Sequence, residues 1–143
     1  MNIVERVRKA KADNDFSLLS EGIPYMKTLN LSVNEEQGLL TTLLDADTVH
    51  TGNPWLKALH GGVIGGLLET AAILQLCHDQ ETDNLPKPIN ITVDYLRSGT
   101  ISPTYAQAIV TKHGRRVANV QAKCWQADEN KPVATLFGHF LMS

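Results

Sequence analysis

The sequence predicts an α+β fold in which one long apolar helix packs on an antiparallel sheet of five or six strands. Three observations predict it. Residues 60–76, HGGVIGGLLETAAILQL, form an uninterrupted apolar run too long for a strand. Residues 89–97 and 117–126 alternate apolar and polar side chains with a period of two, as strands with one buried face do. Turn signals at SGTISP, KHGRR and ADENKP separate the C-terminal strand runs at short spacing, which favours antiparallel pairing.

Taken in chain order, residues 2–12 read as a charged helix with Ile3, Val4 and Val7 on one side, and 15–27 as irregular or short helical structure around Pro24. Two β-like runs, TLNLSVN (28–34) and GLLTTLL (38–44), flank the polar link NEEQG, read as a hairpin turn. Residues 45–58 hold Gly, Asn and Pro and read as a loop, and 79–88 as a second, polar one. Strand 89–97 carries Ile89, Ile91, Val93 and Tyr95 on one face, and strand 117–126 carries Ala118, Val120, Ala122 and Cys124. Runs 105–112 and 132–142 complete a meander of four consecutive strands. The helix is apolar nearly all round, so one sheet face cannot cover it. Either the sheet curls around it or a second subunit does.

A chain of 143 residues fits a single domain, 1–143, with a helical N-terminal segment 1–27 and a core 28–142. With 43% hydrophobic residues, 20% charged and a net charge of −2, it gives no reason to expect nucleic acid or an anionic membrane as partner. Cys77 and Cys124 lie in apolar surroundings without a CxxC partner or a histidine at zinc-ligand spacing. They read as reduced packing residues, and no metal or other cofactor is expected. The N-terminal stretch carries acidic residues and no apolar leader core, so the cytoplasm is the expected location. Residues 59–77 match a membrane span in length, but Glu69 at the centre would cost roughly 3 kcal/mol in lipid.

Glu69 is also the first chemical signal. Between Lys57 and Asp79 it is the only Asp, Glu, Lys or Arg. A carboxylate on a buried helix is costly unless it is paired or faces a cavity, and perturbed carboxylates cluster at functional sites. The bland alternative is a side chain that escapes to solvent or bonds a neighbour. The second signal is His60-Gly61-Gly62 at the helix start. Unpaired N–H groups and the positive dipole end meet there residues that allow close approach to the backbone, the makings of an oxyanion hole. A glycine-rich turn needed only for packing reads the same way. Gly61 and Glu69 lie eight residues apart, roughly 12 Å along a helix axis. If both act on one carbonyl, they must come from different copies of the chain.

HGGVIGGLLETAA, preceded by NPWLKAL and followed by INITVDYLRSG and GRRVANVQAKCW, strongly resembles the hotdog thioesterases of the phenylacetic-acid-degradation type, over most of residues 28–142. The resemblance implies a hotdog fold, a long central helix wrapped by an antiparallel sheet, in a homodimer or dimer of dimers whose subunits share each active site. It implies an acyl-CoA substrate, Glu69 as nucleophile or general base, and the Gly61 backbone N–H as oxyanion donor. Many members carry Asp where this chain has Glu69; Glu is used in a related 4-hydroxybenzoyl-CoA branch. The family often places Asn six residues before the His, to orient water or the carbonyl. Here that position is Pro54, and a one-residue loop shift would bring Asn53 into the role.

Further candidates surround the substrate. His60 and Gly62 shape the loop where it binds, His60 fixing the loop rather than acting as a base. Arg97 and Ser98, ending the VDYLR strand, are expected to line a pantetheine channel, although Arg97 can equally pair with Asp94 or a neighbouring chain. The resemblance implies that Arg115 and Arg116 bind CoA phosphates, as basic residues at this turn do in the family; a solvated hairpin turn is the equal alternative. His50, His78, His113 and His139 show no ligand spacing. Two other readings stand beside hydrolysis. A hotdog dehydratase or hydratase arranges His with Asp or Glu for proton transfer, against the HGG-x6-E order here. A non-catalytic acyl-CoA-binding module would use the same pocket without turnover.

Overall fold

The computed structural model describes residues 1–53, 55–80 and 82–143. Helix α1 (Ile3–Asp13) opens with a capping box: Glu5 N donates to Asn2 Oδ1 at 2.9 Å, and Asn2 N to the Glu5 carboxylate at 3.1 Å. Its buried side holds Ile3, Val4, Val7 and Ala10. Lys11 Nζ donates to the His78 carbonyl at 2.6 Å, and Arg8 meets Asp83 at 3.0 Å. A short helix α2 (Pro24–Leu29) follows, with proline in its first turn.

The first strand starts later than the sequence suggests. Residues 28–29 finish α2, and Asn30 closes it at a left-handed φ of 59° before β1 (Leu31–Glu36) begins. The expected NEEQG turn shrinks to Gln37 and Gly38, both at positive φ (51° and 84°). This is the two-residue connection whose twist suits a hairpin, and Glu35 Oε1 accepts from Gly38 N. Asn34, Glu35 and Glu36 therefore pair with β2 (Leu39–Leu44) instead of looping. The 45–58 segment contains a small ribbon, β3 (Thr51–Asn53) with β4 (Ala58–Leu59).

Helix α3 (Gly61–Asp79) is the long apolar helix, with His60 as its N-cap. By length and composition it could cross a membrane, but here its inner side packs on the sheet. Strands β5 (Lys87–Tyr95), β6 (Thr104–Lys112), β7 (Val117–Trp125) and β8 (Ala134–Leu141) complete one antiparallel sheet in the order β1-β2-β6-β7-β8-β5. The four-strand meander expected from the sequence is therefore a meander of three. β6 has β2 on one side and β7 on the other, so β5 takes the free edge of β8. The link 96–103 carries the chain across roughly 14 Å, three strand spacings.

Helix and sheet fit by complementary size. The inner face of the sheet presents Ala106, Ala108, Ala118, Ala122 and Ala134, and Leu67, Leu68, Leu74 and Leu76 of α3 are buried in the same core. The buried Gln75 locks the seat: its Oε1 accepts from Leu40 N at 2.8 Å, and its Nε2 donates to the Gly38 carbonyl at 2.9 Å and to Asp79 at 2.8 Å. Coverage is incomplete on one side. A strip of α3 running through Gly62, Gly65, Gly66, Glu69 and Ile73 stays exposed or half-buried. Beside it β5 has one edge unpaired among the described residues, and Ile89 and Tyr95, on the face the alternation marks as buried, are 56% and 54% exposed.

Candidate active site

The start of α3 is held from three directions. His60 N donates to the His50 carbonyl at 2.8 Å, and Leu59 N donates to the Gly99 carbonyl at 2.9 Å. The His60 ring then turns back over the helix end, where Nδ1 accepts from Gly62 N at 2.8 Å. That bond makes His60 a side-chain cap, with its Nδ1 as the acceptor. It also uses the Gly62 N–H. The Gly61 N–H, one residue earlier, has no acceptor among the described residues.

Tyr95 completes this end. Its hydroxyl donates to the Gly61 carbonyl at 2.8 Å. Its ring lies along the helix start, with Cε1, Cζ and OH each 3.5 Å from where a Cβ on Gly61 would stand. A cavity of about 350 Å³ opens beside it, lined by Gly61, Ile64, Tyr95, Arg97 and Ser98 among others. Three of the residues expected from the sequence thus share one cavity. Arg97 Nε donates to the Pro132 carbonyl at 3.0 Å, and among the described residues Arg97 makes no ion pair with Asp94.

Glu69 lies two turns further along α3 on the uncovered strip and is half-buried. Among the described residues no hydrogen bond or ion pair engages its carboxylate. Its neighbour Thr70 bonds back to the Gly66 carbonyl at 2.7 Å. Since α3 is continuous from Gly61 through Glu69, the axial separation of roughly 12 Å holds. One chain does not bring the two together.

Other candidates lie apart from this group. Asn53 Oδ1 accepts from Trp55 N at 3.0 Å, and its carbonyl accepts from Leu56 N and Lys57 N, so it organises its own turn. Pro54, at the position where the family often has Asn, lies outside the described residues. Arg115 and Arg116 are exposed in a turn at the opposite end of α3, where Gln80 Nε2 donates to the Gly114 carbonyl and Met142 N to that of Arg116. Helix length puts that turn roughly 28 Å from Gly61. Both cysteines are free and buried, and burial pushes the Cys77 thiol up to about 12 and the Cys124 thiol up to about 11.

Sequence reasoning missed Tyr95 as a site residue. Alternation put it on the same face as Ile91 and Val93, but only the path of β5 past the helix end shows what its hydroxyl reaches.

The family described as acyl-CoA thioesterase N-terminal domain matches residues 51–141. No curated protein matches the chain. Among solved structures, a Chromobacterium violaceum protein is 36% identical, with 97% of each chain covered and a TM-score of 0.79. The PaaI protein from the phenylacetic acid degradation operon of E. coli is 17% identical over 99% of this chain and 96% of its own, at a TM-score of 0.78. A phenylacetic acid degradation-related protein from Ralstonia eutropha is 22% identical over 88% and 98%, at 0.74. The shared arrangement, a long helix packed against a six-stranded antiparallel sheet, is the hotdog fold that the sequence motifs imply.

Proposed function

The chain belongs to the acyl-CoA thioesterase N-terminal domain family, and on that premise we propose that it is a single-domain enzyme that hydrolyses an acyl-CoA to the free acid and CoA. The observation that carries the reading is the carboxylate of Glu69, on an uncovered strip of α3 and without a hydrogen bond or ion pair among the described residues. Glu69 takes a proton from a water whose oxygen adds to the thioester carbonyl, or its own oxygen adds first and water releases the resulting anhydride. The carbonyl oxygen becomes an anion and accepts from the Gly61 N–H. The C–S bond then breaks, and CoA leaves as a thiolate that needs no strong general acid.

The separation of donor and carboxylate along one helix supports a homodimer, alone or paired into a dimer of dimers. In it, Gly61 of one subunit serves Glu69 of the other. The open edge of β5 and the uncovered strip supply surface for that contact. Arg97 and Ser98 flank the pantetheine arm beside Gly61, and Arg115 and Arg116 of the subunit that supplies Glu69 take the phosphates. His60 acts by holding the Gly61–Gly62 turn, and Asn53 by shaping the loop that leads into it. We place the enzyme in the cytoplasm.

The test is release of free thiol from a panel of short, long and aromatic acyl-CoAs by wild type and Glu69→Gln. Hydrolysis by wild type and its loss by at least about 100-fold in the folded variant is expected, the scale of a removed acid–base group. Equal turnover by both would remove Glu69 from the chemistry. Binding without turnover by wild type would make the chain an acyl-CoA-binding module.

A further inference from the structure

The N-terminal segment, outside the residues matched by the family, reaches the same strip of α3. Helix α2 lays Tyr25 and Leu29, one turn apart, against Gly66. A Cβ on Gly66 would stand 3.2 Å from Leu29 Cδ1, 3.3 Å from Tyr25 Cε2 and 3.6 Å from the Tyr25 hydroxyl. Leu29 is buried, whereas Tyr25 is 51% exposed, so half of the ring faces open space beside the helix.

Helical geometry places Glu69 between the two tyrosines. Counting about 100° per residue from Gly61, Gly65 lies about 40° round the helix, Glu69 about 80°, Ile73 about 120° and Gly66 about 140°. Side chains on a helix lean toward its N-terminus, so the Glu69 carboxylate hangs over the turn of Gly65 and Gly66. On one flank stands Tyr95, its hydroxyl 3.6 Å from a Cβ position on Gly65, with Arg97 and Ser98 lining the cavity beyond it. On the other flank stand Tyr25 and Ile73. The first flank is polar and cationic, and the second is apolar and aromatic. The second flank matches the hydrocarbon side of a thioester, and in the shared site the thiol arm runs toward the Gly61 turn that the other subunit supplies.

Resting on the thioesterase reading above, we infer that Tyr25 is a specificity-determining residue, its ring forming the wall against which an apolar acyl chain packs beside Glu69. Acyl groups long enough to reach the ring gain contact from it, and an acetyl group does not reach it. Lys27 does not enter this wall, because residues two apart on a helix do not share a face.

The experiment compares kcat/KM for acetyl-CoA and hexanoyl-CoA in wild type, Tyr25→Ala and Tyr25→Phe, together with calorimetric binding of non-hydrolysable thioether analogues of both. Tyr25→Ala should lower the hexanoyl-to-acetyl ratio by about 10-fold or more, the scale of a lost apolar contact in a substrate pocket. Tyr25→Phe, which keeps the ring, should keep the wild-type ratio, and the affinities of the analogues should follow the same pattern. If Tyr25→Ala does not fold, Tyr25→Leu serves in its place, with the same direction expected. A ratio unchanged in the truncated variant, with wild type still binding and hydrolysing both substrates, overturns the role of Tyr25 alone. Failure of wild type to bind either analogue overturns the thioesterase reading and this inference with it.

Discussion

The Tyr95 hydroxyl donates to the Gly61 carbonyl across 2.8 Å and so ties the last residue of β5 to the first residue of α3. The peptide that carries this carbonyl adjoins the one whose N–H is the proposed oxyanion donor. Tyr95→Phe removes only the hydroxyl. Because the ring is half exposed, the stability cost should lie near the low end for a hydrogen bond, about 0.5 kcal/mol. Turnover should fall more than stability suggests, by about 3- to 10-fold in kcat with KM little changed, as expected when a donor matters mainly in the transition state. Melting curves and steady-state kinetics on the same preparation check both parts.

Gly65 separates stability from activity. A Cβ there meets nothing closer than the Tyr95 hydroxyl at 3.6 Å, and the position lies inside a helix. Gly65→Ala should therefore stabilise the isolated fold by up to about 1 kcal/mol through helix propensity. The added methyl would stand on the floor beside Glu69, and activity should drop by at least about 10-fold. Chemical denaturation alongside thiol-release assays reads the two effects. A variant that is both more stable and fully active would show that substrate does not approach the helix at this turn.

The cysteines give a prediction in pH. Burial raises the Cys77 thiol to about 12 and the Cys124 thiol to about 11, so both stay protonated through the neutral range and begin to ionise only in strong base. The thiolate is the reactive form. The native protein at pH 8 should therefore not consume a disulfide-exchange thiol reagent on the assay timescale, and the denatured protein should consume two equivalents per chain, from its two free cysteines. Rapid reaction of a folded thiol at pH 8 would contradict the packing described for α3 and β7.

Local pattern made much of this legible in the sequence. The 3.6-residue and two-residue periods are set by neighbouring residues, so the bulk of α3 and the inward face of β7 follow from residues 60–76 and 117–126, while the last turn of α3, to Asp79, lies beyond the helix read from the sequence. What depends on distant partners did not follow. Alternation says that β5 is a strand but not that it joins β8 instead of β6. Nothing in TLNLSVN announces that Asn30 takes a left-handed φ and delays β1. Glu69, Gly61, Arg97 and Ser98 stood out by residue type and motif. Tyr95 and Tyr25 did not, because their positions matter only once β5 and α2 have been laid against α3.

The shared site can be tested by complementation between two inactive variants, Glu69→Gln and Gly61→Pro. The second deletes the proposed donor at a position that tolerates it. Gly61 is the first residue of α3, His60 before it has φ −62° and ψ 134°, the extended region that a following proline favours, and a Cβ on Gly61 makes only ordinary contact with Tyr95. Circular dichroism first establishes that both variants fold, and a tagged pull-down that they exchange subunits. A mixed dimer then holds one site with both lesions and one with neither. The account predicts that activity absent from each variant returns on mixing, to about one quarter of wild type when half of the dimers are mixed and each carries one intact site of two. Demonstrated exchange without any return of activity would place donor and carboxylate in the same chain and contradict the shared site.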